Sequence, residues 1–172
     1  MAIWTSRYSN KELQNGNYYC VGISLGSPRF PLGFEVREQC YSLAPKGYML
    51  KMDYEPYRAA YIKKLEDIGT DRILDMVMRF DQKARAEGNE LVFLCYEDVR
   101  NAEDWCHRTI FAQWYLEKTG EIIKELPDPN PPKGKKPAKK TDRKEPARAS
   151  EPPKSDNGFE QMSLFSMAGM TI

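Results

Sequence analysis

Residues 90–108 decide the fold of this chain, and they read ELVFLCYE (90–97), DVRN (98–101) and AEDWCHR (102–108). The apolar run 91–95 lies between polar and charged residues, which is typical of a short strand buried on both faces. Asn101 or Asp104 can cap a helix that runs to Gly120. A buried strand therefore ends at a loop that opens a helix, and ligands collect at that place in open α/β sheets.

Hydrophobic periodicity predicts two more helices before this strand and further strands towards both ends of the domain. The expected helices run from Asp53 or Glu55 to Gly69 and from Thr70 to Gly88, and the expected strands cover 2–5, 18–24 and 121–126. Residues 34–43 have no clear preference. The pattern favours the α/β class, with a single three-layer domain built on a small, mostly parallel sheet.

The composition changes abruptly after Pro127. Residues 128–158 contain no aromatic or branched aliphatic side chain, so they cannot bury enough surface to offset their chain entropy. We therefore expect a folded domain over 1–127, a disordered basic Pro/Lys-rich linker over 128–158 and an apolar tail over 159–172. The basic residues of the linker are Lys133, Lys135, Lys136, Lys139, Lys140, Arg143, Lys144 and Arg148.

Charge, hydropathy and cysteine usage narrow the class of protein. The formal net charge is +1, so the charge of the whole chain does not indicate binding to nucleic acid or to a membrane. No apolar run approaches the ~20 residues of a membrane span, and the amino terminus lacks a signal peptide. We expect a cytoplasmic protein without a membrane partner, whose four cysteines are reduced thiols.

Cysteine spacing gives little support for a metal site. Only Cys106 and His107 are adjacent in sequence, and neighbouring side chains on a helix point ~100° apart, which makes joint ligation of one ion awkward. We expect neither a metal nor a cofactor.

The apolar tail contains a short motif. Residues 161–165 read Gln-Met-Ser-Leu-Phe, and this run resembles the pentapeptide with which bacterial replication and repair proteins dock onto the sliding clamp. The matching positions are Gln161, Met162, Ser163, Leu164 and Phe165, with Met162 in place of the commoner leucine. The resemblance implies the clamp as a partner, and the basic linker would then lie beside DNA phosphates. The alternatives are that the tail folds back onto the domain or that an apolar segment is simply tolerated at a terminus.

Four pieces of the domain, in order, resemble the uncharacterised DUF488 family. They are IWTS (3–6), GISLGSPR (22–29), LCYE (94–97) and CHR (106–108). Membership of that family implies an α/β domain over about residues 3–126. It brings no reaction with it, so the site has to be argued from chemistry.

Polar residues follow three of the expected strands, and they converge on one edge if those strands are parallel. Three arginines among them offer bidentate donors for a phosphate or carboxylate. The loop at Gly26 could let backbone amides approach an anion, although it lacks a full phosphate-binding fingerprint. The predicted ligand-binding residues are Ser6, Arg7, Ser24, Gly26, Ser27 and Arg29, with Arg108 as the third arginine.

Four residues are candidates for catalysis: Glu97, Cys106, His107 and Arg108. Cys106 in a first helical turn would be a nucleophile, because the helix dipole and two neighbouring cations favour its thiolate. The acidic residues around it oppose this, and it could equally be a small buried contact.

Each of the other three candidates also has a bland alternative. Glu97 could be a general base or a solvated loop carboxylate. His107 could act as an acid–base group or pack against the backbone, and Arg108 could bind a ligand or pair with Asp104. Trp4, Tyr8 and Tyr18 could stack a base, whereas Tyr57 and the other helical aromatics are expected in the core.

Three functions remain open from the sequence. The first is a domain that binds a phosphorylated ligand, a nucleotide or DNA at the Cys-His-Arg edge and is recruited by the clamp, with or without catalysis. The second is a non-enzymatic adaptor or modulator of the clamp. The third is a soluble metabolite-binding domain with an incidental tail.

Overall fold

A computed structural model of the chain describes residues 2–101 and 104–132. The basic linker beyond residue 132 and the motif at 161–165 lie outside the described residues, so what the sequence predicts for them stays a prediction. The described elements are β1 (Ile3–Arg7), β2 (Tyr18–Gly22), β3 (Val36–Gln39), α1 (Tyr54–Ile68), α2 (Thr70–Ala86), β4 (Glu90–Cys95), α3 (His107–Thr119) and β5 (Lys124–Glu125). Within these ranges, the helices are too short or too polar to cross a bilayer.

The five described strands form one parallel sheet in the order β3-β2-β4-β1-β5. This confirms the predicted α/β class. β4 lies at the centre, and residues 91–95 are all buried, as expected for a strand covered on both faces. Arg7 of β1 pairs in register with Cys95, and Gly22 of β2 pairs with Leu94. The carboxyl ends of the three central strands therefore meet at one edge.

Different layers cover the two faces of the sheet. Leu91 and Phe93 face the three α-helices, whereas Val92 and Leu94 face loops and a short 3₁₀ helix, Lys11–Gln14. The connections from β1 to β2 and from β2 to β3 run towards the β3 edge and cross the loop face. The connections from β3 to β4 and from β4 to β5 run towards the β5 edge and cross the helical face. All four crossovers can have the same handedness only if the two directions use opposite faces.

The start of α3 differs from the prediction. The helix begins at His107 with Cys106 as its cap residue, and it ends at Gly120 as expected. The two residues predicted as caps bond to each other instead, since the side chain of Asn101 donates a hydrogen bond to that of Asp104 at 2.7 Å. The carbonyl oxygen of Cys106 instead accepts bonds from the hydroxyl and the amide of Thr109.

The other boundaries differ by a few residues. Gly69, rather than Thr70, precedes α2, and β5 covers only two residues of the predicted 121–126 strand. The segment without clear preference supplies β3 at the edge of the sheet. Past Pro127, Asp128 still contacts the domain, because its carboxylate accepts a hydrogen bond from Arg7 at 2.6 Å.

Candidate functional site

A cavity of about 360 Å³ opens at the carboxyl ends of β2 and β4. The chain leaves β2 across the loop face and leaves β4 across the helical face, so a crevice opens between the ends of these two strands. Open α/β sheets bind ligands in such a crevice. The lining residues are Ser24, Leu25, Gly26, Pro45, Leu50, Tyr57, Cys95, Tyr96, Glu97, Trp105, Cys106 and His107.

Two thiols, a carboxylate and an imidazole meet in this cavity. The thiols of Cys95 and Cys106 both donate to Oε2 of Glu97, at 3.0 and 2.9 Å. Nδ1 of His107 lies 3.7 Å from the first sulfur and 3.6 Å from the second. Three of the four predicted catalytic residues are thus brought together, and Cys95 joins them from the last position of β4.

The hydrogen bond on the far side of its ring fixes the orientation of His107. Nε2 lies 2.8 Å from the carbonyl oxygen of Ile23, and because a carbonyl only accepts, Nε2 carries the proton. In the neutral ring, Nδ1 therefore keeps its lone pair and points it at the two thiols. Both sequence interpretations of this residue hold in part, since the ring is buried against the backbone and also faces the cavity.

The two thiols differ in acidity. Burial opposes ionisation of Cys106, but the hydrogen bond from Cys95 and the neighbouring His107 and Arg108 hold the pKa of Cys106 well below its usual value. The hydrogen bond to Cys106 and burial raise the pKa of Cys95. Burial and the charge of Cys106 raise the pKa of the Glu97 carboxyl. The first proton to leave the pair therefore leaves Cys106.

Three aromatic side chains, Tyr57, Tyr96 and Trp105, line the cavity. The rings of Tyr57 and Trp105 pack with centroids 4.7 Å apart. Across from them, Tyr96 donates to the carbonyl oxygen of Gly26 at 2.8 Å and packs against Tyr8. Sequence reasoning missed Cys95, Tyr96 and Trp105, although all three lie within the stretch 90–108. The position of Cys95 at the end of the apolar run was a signal that could have identified it.

The predicted ligand-binding residues lie in different places, and only some of them line the cavity. Ser24 and Gly26 line the cavity, where the Ser24 hydroxyl donates to the Gly26 carbonyl at 2.7 Å. Ser27 and Arg29 follow in an exposed loop, and the Arg29 charge acts on the hydroxyl of Tyr96. Ser6 is buried away from the cavity and accepts a hydrogen bond from Asn10 at 3.0 Å.

Two of the three arginines that were predicted to bind an anion form ion pairs with carboxylates of the protein itself. Arg7 is buried between Asp98 and Asp128, at 2.7 and 2.6 Å. Arg108 is completely buried and forms two hydrogen bonds with Glu125, at 3.1 and 2.9 Å. Its partner is therefore not Asp104, and neither arginine lines the cavity. Their placement supports a role in holding the ends of the sheet and α3 together.

The aromatics predicted to stack a base lie elsewhere. Trp4 and Tyr18 pack on the loop face of the sheet, and the indole of Trp4 donates to Glu90 at 2.8 Å. Tyr8 is buried behind Tyr96. The rings that a ligand in the cavity would meet are instead Tyr57, Tyr96 and Trp105.

A metal ion could be held by one group of side chains in the described part of the chain. The ligand atoms of Cys95, Cys106 and His107 all lie within 4.8 Å of one another. A larger surface depression of about 760 Å³ lies along α1 and α2, lined by ordinary surface residues such as Asp67, Arg72 and Arg79. Thiols and imidazole converge at the cavity of β2 and β4, so chemistry is expected there.

No protein-family model, curated protein or solved structure matches this chain. The resemblances to the DUF488 family and to the clamp-binding pentapeptide therefore stay predictions. The site is defined by its own geometry.

Proposed function

We propose that this domain binds a small ligand with a flat unsaturated ring, of the nucleobase or nucleotide class, and that its carboxyl-terminal tail recruits it to the bacterial sliding clamp. The observation that carries the first part is the cavity that aromatic side chains line together with Cys95, Glu97, Cys106 and His107. The second part rests on the sequence match of residues 161–165.

The size and lining of the cavity support a ring as the ligand. About 360 Å³ is within the range of small-molecule sites. Tyr57, Tyr96 and Trp105 offer ring faces and edges, and stacking of a base on such side chains is worth about 1–3 kcal/mol per base. Ser24 and Glu97 supply polar groups that can fix the orientation of the ring.

A phosphate would lie at the rim of the cavity rather than beside its thiols. A carboxylate and two thiols line the cavity, and a phosphate beside Glu97 would be repelled. Arg29 stands in the exposed loop that follows Gly26, where it can pair with a phosphate in solvent. A nucleotide would therefore enter with its base first.

Calorimetric titration with nucleobases, nucleosides and nucleoside monophosphates tests the first part, with inorganic phosphate as the comparison. Tyr96→Ala should weaken binding roughly tenfold or more, since it removes a stacking surface. Tyr41→Ala is the matched control, because Tyr41 is also an exposed tyrosine but lies outside the cavity (62 % exposed, against 40 % for Tyr96). Equal affinity for the two variants, or binding of phosphate alone, would contradict the proposal.

Binding of the full-length protein to a purified bacterial clamp tests the second part. Replacement of Gln161, Leu164 and Phe165 by alanine should abolish binding, because these side chains provide the polar register and the apolar anchors. Met167→Ala changes the same tail outside the pentapeptide and should bind as the wild type does. Clamp binding without any ligand affinity would instead favour the adaptor function.

A further inference from the structure

We propose that Cys95, Cys106 and His107 form a Zn²⁺ site whose fourth coordination position faces the cavity. The inference concerns the same cavity as the proposed function and extends it by naming a metal. It is carried by the convergence of two sulfurs and one ring nitrogen from two different elements, the end of β4 and the start of α3.

The distances fit a tetrahedral ion. Zn–S bonds of about 2.3 Å and Zn–N bonds of about 2.0–2.1 Å, at a tetrahedral angle, place sulfur and nitrogen about 3.6 Å apart. The observed separations are 3.7 Å for Cys95 and 3.6 Å for Cys106, each measured from Sγ to Nδ1 of His107. Both sulfurs therefore already stand at the spacing that a shared ion would impose.

The imidazole is prepared for ligation by its other nitrogen. Metal-binding histidines almost always donate their second ring N–H to a carbonyl or a carboxylate, which fixes the tautomer and the ring orientation. Nε2 of His107 makes this bond to the carbonyl of Ile23 at 2.8 Å. Nδ1 is left as the ligating atom, and it is the atom that faces the thiols.

A route exists for the protons that metal binding displaces. Thiols ligate as thiolates, so Cys95 and Cys106 must each lose a proton when the ion binds. Both sulfurs contact Oε2 of Glu97, which is exposed and lines the cavity, so the displaced protons leave on the side that is open to solvent. Two thiolates then balance the charge of the divalent ion.

The types of the three ligand atoms indicate which metal ion would bind and what role it would have. Thiolate and imidazole ligands suit Zn²⁺, whereas Mg²⁺ and Ca²⁺ require oxygen ligands. Three protein ligands with an open position are typical of catalytic rather than structural zinc, where the ion lowers the pKa of a bound water or polarises a carbonyl. Glu97 lies beside this cluster, so its carboxylate could hold a water at the open position.

The local backbone explains why spacing alone pointed away from a metal. The expectation assumed that Cys106 and His107 lie on one helix. Cys106 instead precedes α3 in an extended conformation, with φ −149° and ψ 150°, so the ~100° rotation between helical neighbours does not apply. The third ligand, Cys95, lies at the end of β4, and the other two proposed ligands are more than ten residues further along the chain.

The test is the zinc content of the full-length protein, purified under reducing conditions and reconstituted with Zn²⁺. We expect about one Zn²⁺ per chain, retained on dialysis and removed by a strong chelator. Cys95→Ala, Cys106→Ala and His107→Ala should each lose it. Cys20→Ala and Cys40→Ala are the matched controls, because these two cysteines are also buried but lie outside the cluster.

A second measurement needs no variant, so it stands even if a substitution prevents folding. Co²⁺ added to the wild-type apoprotein should give thiolate-to-metal charge-transfer absorption and intense tetrahedral d–d bands, and Zn²⁺ should raise the melting temperature. A folded wild-type protein that binds neither ion would overturn the inference. Both assays omit nucleobase and clamp, so failure here is distinct from failure of the proposed function.

Discussion

The imidazole Nε2 of His107 donates a hydrogen bond to the carbonyl oxygen of Ile23 at 2.8 Å, and this bond joins the first residue of α3 to the residue after β2. Ile23 is held in turn by its amide, which donates to the carbonyl of Leu94 at 2.9 Å. The ring therefore has a structural contact on one side and the thiol cluster on the other. These two roles can be separated by substitution.

His107→Gln should retain the fold and lose the metal. A glutamine amide can reach the Ile23 carbonyl as Nε2 does, but it leaves no ring nitrogen at the Nδ1 position. His107→Ala should cost about 1–3 kcal/mol of unfolding free energy, because it leaves that buried carbonyl without a donor. Thermal denaturation and zinc content measured on both variants check this, and a glutamine variant with full zinc content would exclude His107 as a ligand.

Arg108→Met should destabilise the domain rather than act on a ligand. The guanidinium is completely buried and holds Glu125 by two hydrogen bonds. Glu125 is partly exposed, with 33 % of its side chain accessible, so solvent weakens the ion pair. We therefore expect the unfolding free energy to fall by about 1–3 kcal/mol. Arg108→Lys should recover only part of it, because lysine cannot form the paired bonds.

Urea unfolding measures the effect of the Arg108 substitutions, with Arg72→Met as the control. Arg72 lies exposed on α2, so its replacement should change the free energy of unfolding by less than about 0.5 kcal/mol. If Arg108→Met were as stable as the wild type and lost ligand affinity instead, the ligand-binding interpretation from the sequence would be the better one.

Sequence patterns predicted the parts of this fold that depend on residues close together in the chain. The uninterrupted apolar run before Tyr96 predicted a strand covered on both faces, and Gly69 and Gly120 marked helix ends that the structure confirms with φ values of 94° and 74°. The sheet is parallel as predicted, and in the described chain the connections on either side of β4 contain its α-helices. Each of these signals lies within a few residues of the feature that it predicts.

Long-range partners could not be predicted in the same way. The sequence offered Asp104 for Arg108 by helical spacing, whereas the partner is Glu125 on β5. Cys95 was assigned to the core as a strand thiol, and only the start of α3 beside β4 gives it a site. Such pairs depend on the strand order, which no local pattern specifies.

Asp128→Asn should destabilise the domain in a pH-dependent way. Burial alone would raise the pKa of Asp128, but the Asn130 backbone amide and Arg7 lower it below its ordinary value of 3.8. A group whose folded pKa is depressed contributes stability that is present above the unfolded pKa and is lost as the pH falls through the folded pKa. The substitution should therefore cost about 1–3 kcal/mol near neutral pH.

Urea unfolding of the wild type and Asp128→Asn, repeated from neutral pH down to about pH 3, measures this difference. The gap between the two proteins should narrow once the pH falls below the ordinary aspartate pKa of 3.8. A gap that stayed constant over that range would mean that the ion pair with Arg7 adds nothing and that the loss has another origin.

Gly22→Ala should destabilise the sheet next to the cavity. A Cβ on Gly22 would lie 2.1 Å from Oε1 of Gln39 and 2.5 Å from the hydroxyl of Tyr8. Neither neighbour is free to withdraw, since Gln39 donates to the carbonyl of Ser24 at 2.6 Å and Tyr8 is buried and bonded to the Ser24 hydroxyl. We expect a loss of about 1–3 kcal/mol, the usual cost of overpacking.

The strain should also reach the ligand, because Tyr8 packs against Tyr96 at a centroid distance of 4.9 Å and Tyr96 forms one wall of the cavity. Gly22→Ala should thus lower both the melting temperature and the affinity for a ring ligand, whereas Gly47→Ala, where an added Cβ meets nothing within 4 Å, should change neither. Unchanged stability in Gly22→Ala would show that Tyr8 and Gln39 can move, in which case the Tyr96 wall is adjustable and the cavity is less preorganised for a flat ring than its geometry indicates.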